Sequence, residues 1–292
     1  MFVCLETVFP AEMPSATYTF GDLLGFVESS SGYNHTPSSK HLFDCLVVLT
    51  TLGMMWSIYV SAKGAGGVRE LVRECGVRFK RVRMVAQEIE RKSFHLSGLG
   101  VPLLWLYTTS KGMSRVTQTK IAWCVCAFGW SCDLARVYVP FVQRNWPLKK
   151  ILRKHEIGQL CGACYFSLGC TVSLTCFPPS VAMTSIVWLV LGDLSAALIG
   201  RSFGGDIVAV KLGREGKKSL EGSMAMFVIC VMVGMITFQE VPLREYAVIM
   251  GSLVATTTEL YEPFGFNDNL TIPIFSALAL HYGLLRVGNL CV

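Results

Sequence analysis

The stretch Gly192-Asp193-Leu194-Ser195-Ala196-Ala197-Leu198-Ile199-Gly200-Arg201 sets one carboxylate inside an apolar run. A Gly-rich basic loop follows it, Gly216-Lys217-Lys218-Ser219-Leu220-Glu221-Gly222-Ser223. A carboxylate suits a hard divalent cation such as Mg²⁺, which takes oxygen ligands and leaves part of its shell to phosphates. Lysines beside glycines can offset phosphate charge where the backbone comes close. This combination points to nucleotide chemistry at a membrane surface. The loop is not a Walker loop, since no Gly-x4-Gly-Lys-Ser/Thr follows a strand, and Gly204-Gly205 makes no dinucleotide fingerprint.

Ionisable residues inside apolar spans are expensive, so each is a functional candidate by default. Here they are Asp133, Arg136, Asp193 and Glu259, with His95 near a span end and His281 in the last span. Asp133 and Arg136 stand at i, i+3 on one helix face, the spacing of an intramembrane ion pair. Glu262, Asp268 and Asn269 follow soon after Glu259. Asp193 and Asp268 are the carboxylates best suited to Mg²⁺. Arg91 and Lys92 run straight into a span, where they serve either as snorkelling anchors or as partners of phosphate. The small residues Ser195-Ala196-Ala197 and Gly200 admit either a ligand or a neighbouring helix.

The elements that must position these residues are helices in a membrane. Of 292 residues, 52% are hydrophobic and 16% charged, against about 25% charged in soluble domains. A span needs about 20 mostly apolar residues. Such runs fall near 43–62, 94–110, 119–141, 158–177, 181–200, 222–239, 246–262 and 270–288. The expected fold is therefore all-α, a polytopic integral membrane protein with about eight transmembrane helices. Residues 1–42 read as a loosely ordered tail without the basic n-region of a signal peptide, and 43–292 as the membrane-embedded domain. Pro178-Pro179 marks a tight turn between the fourth and fifth spans, because a residue before Pro avoids the helical region. Most of the twelve cysteines lie in apolar runs and read as small hydrophobes. Cys161-Gly-Ala-Cys164 has metal or redox spacing but no second pair, and it reads as apolar packing too.

With eight spans, loops 63–92, 143–157 and 201–220 share a face and hold 19 of the 26 Lys and Arg residues. That asymmetry assigns them to the cytoplasm. Segment 63–92 reads as a basic amphipathic stretch held at the interface by anionic lipid. Nearly all the ionisable residues then gather at the cytoplasmic ends of their spans, whereas a transporter places them near the midplane. A site at that boundary suits a lipid headgroup meeting a soluble nucleotide, and no nucleic-acid partner is expected.

Six blocks occur in order: Glu90-Arg91-Lys92-Ser93-Phe94-His95, Asp133-Leu-Ala-Arg136, Arg153-Lys154-His155-Glu156-Ile157, Gly192-Asp193 through Gly204, Lys218-Ser219-Leu220-Glu221-Gly222-Ser223, and Asn267-Asp268-Asn269-Leu270-Thr271-Ile272-Pro273. Their order and spacing resemble the CTP-dependent polyprenol and diacylglycerol kinase family over about residues 90–292. The resemblance implies CTP as phosphoryl donor, a membrane alcohol as acceptor, and a divalent cation, Mg²⁺ or another such as Ca²⁺. It puts the family's functional positions on Arg91, Lys92, Asp193 and Gly200, and it favours the endoplasmic reticulum. The catalytic set expected is thus Asp193, Arg91 and Lys92, and the nucleotide- and phosphate-binding set is Gly200, Arg201, Lys217, Lys218, Ser219 and Gly222. Asp193 and Asp268 form the metal set, with His95, Asp133, Glu259 and Asn269 as further candidates. Gly192 before the Asp, and Lys217-Lys218-Ser-Leu-Glu221-Gly in the loop, lean toward dolichol kinases and CTP:phosphatidate cytidylyltransferases. The Asn-Leu-Thr-Ile-Pro block leans back. The expected reaction is diacylglycerol to phosphatidate, with dolichol phosphorylation, CMP transfer to phosphatidate and non-catalytic transport as alternatives.

Overall fold

The computed structural model describes residues 95–146, 158–204, 211–213 and 218–290, with Met55 and the positions 69–70, 72–75, 82, 85–86, 89 and 92. The tail expected at 1–42, nearly all of the span expected at 43–62, Arg91, the stretch 147–157 and Lys217 lie outside the described residues. Among the positions described in the basic segment, Val72, Val82, Val85 and Ala86 are buried together, while Arg69 and Arg73 are exposed. Glu70 and Glu74 are exposed beside those arginines.

After a 3₁₀ turn at Leu96–Leu99 come α1 (Gly100–Ser110), α2 (Arg115–Tyr138), the short α3 (Pro140–Asn145) and α4 (Gly162–Cys176). Then α5 (Pro179–Val187) passes through a π-helical turn, Trp188–Gly192, into α6 (Asp193–Phe203). The chain continues with β1 (Lys211–Leu212), β2 (Lys218–Ser219), α7 (Leu220–Thr237), α8 (Arg244–Tyr261), a 3₁₀ turn at Pro263–Gly265 and α9 (Asp268–Leu290). The described residues are thus nearly all helical. The exception is β1–β2, an antiparallel hairpin pairing Lys211 with Ser219 and Leu212 with Lys218, in the stretch read above as a loop.

Local chemistry sets the helix ends. Ser114 caps α2 by accepting the Thr117 amide, the usual role of a serine at that position. Pro178 and Pro179 start α5 as expected, with Pro179 at the first helical position, where its missing N–H costs nothing. The Arg115 guanidinium donates to the carbonyls of Leu174, Thr175 and Phe177, which satisfies the end of α4. Two indoles tie α2 to α4, Trp123 through Thr175 Oγ1 and Trp130 through the Cys164 carbonyl.

The core lies where α4 to α9 meet. Trp188 is fully buried there, and an added Cβ at Gly251 would stand 2.8 Å from its ring. The outer surface inverts the soluble pattern. On α7, Met224, Val228, Met232 and Ile236 are each about half exposed at i, i+4 spacing, an apolar stripe that requires a non-aqueous surround. The opposite face buries Met226, Cys230 and Thr237. Among the described residues, three helical stretches are long and apolar enough to cross a membrane: Pro179–Phe203, Leu220–Thr237 and Asp268–Val287. They match the spans expected at 181–200, 222–239 and 270–288. The 158–177 run forms a 15-residue helix, α4. The chain is an integral membrane protein.

Pro273, inside α9, lacks the N–H that would bind the Asn269 carbonyl. Gly169 of α4 packs against that carbonyl so closely that a Cβ would lie 2.7 Å from its oxygen and 2.9 Å from Pro273 Cγ. Backbone cannot yield as a side chain does. Gly169→Ala is predicted to destabilise the protein by about 1–3 kcal/mol, read as a lower Tm in detergent micelles.

Candidate active site

The π turn at Trp188–Gly192 ends at Asp193, which opens α6. Such turns are rare, carry an extra residue, and re-aim the side chains that follow. Gly192 fits because Met226 and Cys230 of α7 stand 3.0 and 3.1 Å from where its Cβ would be. Asp193 is only 8% exposed and Lys92 6%. The Lys92 ammonium donates to Asp193 Oδ2. His95, one helical turn after Lys92, places Nε2 3.6 Å from the same oxygen, and its ring meets the edge of Phe166. A buried charge is tolerated only when paired, so this pair is a strong local constraint.

A second acid–base pair stands beside the first. Lys218 Nζ donates to Glu259 Oε1 at 2.6 Å and to the Glu259 carbonyl at 2.7 Å, with Glu262 Oε1 at 3.4 Å. The carbonyl is in the last turn of α8, whose final C=O groups lack helical partners, so Lys218 also caps that helix. The hairpin presses Gly213 (φ +84°) on the same helix end, where a Cβ would lie 2.9 Å from the Leu260 carbonyl. Burial pulls the Lys218 ammonium down, but Glu259, Asp268 and Glu262 hold it above its ordinary value. It therefore carries a positive charge at neutral pH.

Asp268, the first residue of α9, joins both pairs: it interacts electrostatically with Asp193, Lys218 and Lys92, and Glu259 interacts with Asp193 and Asp268. Lys92, His95, Asp193, Lys218, Glu259 and Asp268 thus converge from separate parts of the chain. Among the described residues, four carboxylates, those of Asp193, Glu259, Glu262 and Asp268, stand near the Lys92 and Lys218 ammonium groups. The second Glu259 oxygen, Oε2, is buried without a hydrogen-bond partner, a condition that costs about 1–3 kcal/mol or more. An excess of carboxylate with an orphaned oxygen fits a divalent cation.

Other residues expected at the site have different surroundings. The Ser219 hydroxyl accepts the Gly222 amide at 3.2 Å as the N-cap of α7. A Cβ on Gly222 would lie 2.7 Å from the Ala196 carbonyl and 3.2 Å from Gly200 Cα. Gly200 and Gly222 therefore let α6 and α7 cross in contact. Arg201 is exposed on the last turn of α6. Lys218 and Glu259, read singly above, are partners, and nothing local signals a pair 41 residues apart.

Asp133 belongs to a separate constellation. Its Oδ1 accepts from Arg136 Nε at 2.6 Å and its Oδ2 from the Cys161 amide at 2.8 Å. Arg136 also donates to the Gln159 carbonyl at 2.7 Å. This is the expected i, i+3 pair, and it anchors the start of α4. Asn269 contacts the same turn, donating from Nδ2 to the Gly162 carbonyl at 3.3 Å, while its backbone amide donates to Asp268 Oδ1 and Asn267 Oδ1. Asp133→Ala leaves Arg136 buried beside a lost charge and should cost about 3–5 kcal/mol, with much of it restored by adding Arg136→Met. Thermal unfolding followed by tryptophan fluorescence checks both variants.

No protein-family model matches the chain, and no solved structure matches it. Curated relatives do. Over 217 residues it is 30% identical to the CTP-dependent diacylglycerol kinase 1 of Saccharomyces cerevisiae, covering 66% of this chain and 72% of that one. The protein of the same name from Eremothecium gossypii is 24% identical over 295 residues, covering 86% and 91% of the two chains. That of Schizosaccharomyces pombe is 27% identical over 209 residues, covering 66% and 92%. The described site residues lie within the stretch that carries the ordered motif blocks, and the chain belongs to the CTP-dependent diacylglycerol kinase family.

Proposed function

We propose that this protein transfers the γ-phosphate of CTP to the hydroxyl of diacylglycerol, giving phosphatidate and CDP. The observation that carries the reading is the buried Asp193–Lys92 pair, set beside Lys218, Glu259 and Asp268 within helices that border a membrane. Phosphoryl transfer asks little covalent chemistry of a protein; it asks for position and for charge where charge accumulates. Lys92 and Lys218 are held in place by carboxylates, so incoming phosphate oxygens meet basic groups already positioned. Arg91 and Lys217 add positive charge next to each in the chain. Asp193 and Asp268 would hold Mg²⁺, with Glu259 Oε2 as a further oxygen. That cation, when bound, supplies neutralisation and orientation of the triphosphate. His95 is the neighbouring group that would take up the acceptor's proton.

The wider frame supports the same reading. Eight spans, with the Lys/Arg-rich loops in the cytosol of an endoplasmic reticulum membrane, bring the site to the surface where CTP arrives from water and diacylglycerol from the bilayer. The apolar stripe of α7 and the charge bias of the loops support this arrangement.

Purified protein in mixed micelles with diacylglycerol and Mg²⁺ is predicted to move label from γ-labelled CTP, and none from base-labelled CTP, into phosphatidate. Chelation of the cation abolishes transfer. Lys218→Ala raises the KM for CTP by roughly tenfold, about 1.4 kcal/mol of lost phosphate binding. Label found only in dolichyl phosphate, or base label entering lipid when phosphatidate is supplied, would overturn the assignment of acceptor or reaction.

A further inference from the structure

The turn that opens α4 carries two cysteines that the kinase reaction does not use. Cys161 is the N-cap residue and is partly exposed, and Cys164 is buried one turn later. Their sulfurs are 3.8 Å apart, and a disulfide forms at about 2.05 Å with side-chain rotation. The 15-residue α4 directs the positive end of its dipole at Cys161, which favours the thiolate there. Arg136, paired with Asp133 at this turn, offsets the carboxylate's negative charge. With Asp133 the two sulfurs form a group of donor atoms within 4.8 Å of one another. As a metal site that group is poor. A structural zinc takes four ligands, and both Asp133 oxygens are already engaged, by Arg136 and by the Cys161 amide.

We infer that Cys161 and Cys164 form a thiol–disulfide modification site whose co-reactant is a low-molecular-weight disulfide such as oxidised glutathione. The Cys161 thiolate attacks the small disulfide, forming a mixed disulfide and releasing one small thiol. The Cys164 sulfur, losing its proton, then attacks Cys161 and expels the second small thiol. Two protein thiols are oxidised to one disulfide, and one small disulfide is reduced to two thiols. The partly exposed sulfur attacks first and the buried one resolves the mixed disulfide, as their burial requires.

The turn touches the kinase site. Gly162, between the two cysteines, accepts the hydrogen bond of Asn269, whose amide binds Asp268. Gly169 of the same helix is in contact with the Asn269 carbonyl. Closing the disulfide draws in the turn that holds Asn269 and shifts Asp268 against Asp193. This coupling rests on the proposed function; formation of the disulfide does not.

Full-length protein in micelles is equilibrated in graded mixtures of reduced and oxidised glutathione, trapped by alkylation, and assayed in parallel for γ-phosphate transfer. Mass spectrometry is expected to find the peptide bearing both cysteines lighter by two hydrogens. In Cys164→Ser it finds glutathione trapped on Cys161. Oxidation lowers kcat by roughly fivefold or more, the usual scale of coupling between sites, and dithiothreitol reverses it. Cys161→Ser and Cys164→Ser keep the reduced rate at every ratio. Absence of the linkage at the most oxidising ratio overturns the site, as does stoichiometric zinc in the purified protein that either variant loses. Linkage with unchanged turnover, or inhibition that persists in both variants, overturns the coupling. Because linkage is read by mass, an inactive preparation refutes the kinase reading alone.

Discussion

A carboxylate buried in an apolar helix cannot be left alone, and the arrangement around Asp193 follows from that constraint. Desolvating an isolated ion costs far more than any one contact returns, so the charge needs a partner held at bonding distance. Lys92 provides it from 101 residues away in the chain. To bring the two together, the helix bearing Asp193 widens by a π turn just before it, and Gly192 makes room for Met226. Lys218 then fixes the end of α8 through Glu259, and Asp268 begins α9 within reach of both pairs. The helices are thus joined at one end by paired charges, whereas elsewhere they meet through Trp188, small residues and buried hydroxyls. An excess carboxylate and an orphaned oxygen in that cluster are costly to stability and useful to a cation.

Much of this was readable from residue types. The cost of charge in a span singled out Asp193, Glu259, Asp133 and Arg136, and the i, i+3 spacing of the last two foretold their ion pair. The helix start at Pro179 followed from proline's geometry. The expected gathering of charge at one end of the spans grouped His95, Asp193, Glu259 and Asp268, which meet, with Asp133 and Arg136, which pair apart from them. What sequence could not show was pairing over long separation: Lys218 with Glu259 leaves no periodic trace. The π turn is equally silent, because one added residue does not alter composition and barely alters the period. The β1–β2 hairpin is too short, at two residues a strand, for any pattern to emerge.

Several small residues take their surroundings from distant parts of the chain. Gly200 was expected to admit either a ligand or a neighbouring helix, and it stands with Gly222 where α6 and α7 cross in contact. Ser219 looked like a phosphate ligand, and it caps α7. Cys161 and Cys164 looked like apolar filler, and the structure brings their sulfurs together at a helix start beside Asp133. In each case residue type was informative, and the neighbour that gives it meaning came from another helix.

The central claim is that Asp193 acts on the reaction and does more than neutralise Lys92. Exchanging the two charges, Lys92→Asp with Asp193→Lys, keeps a buried ion pair while removing the carboxylate from α6. The decisive measurement is turnover of that double variant alongside its Tm in micelles. The account predicts a Tm close to wild type with turnover lower by roughly a thousandfold or more, the scale of losing a preorganised charge at a reacting phosphate. A double variant that folds and turns over at a rate near wild type would contradict it and reduce Asp193 to a structural counter-ion.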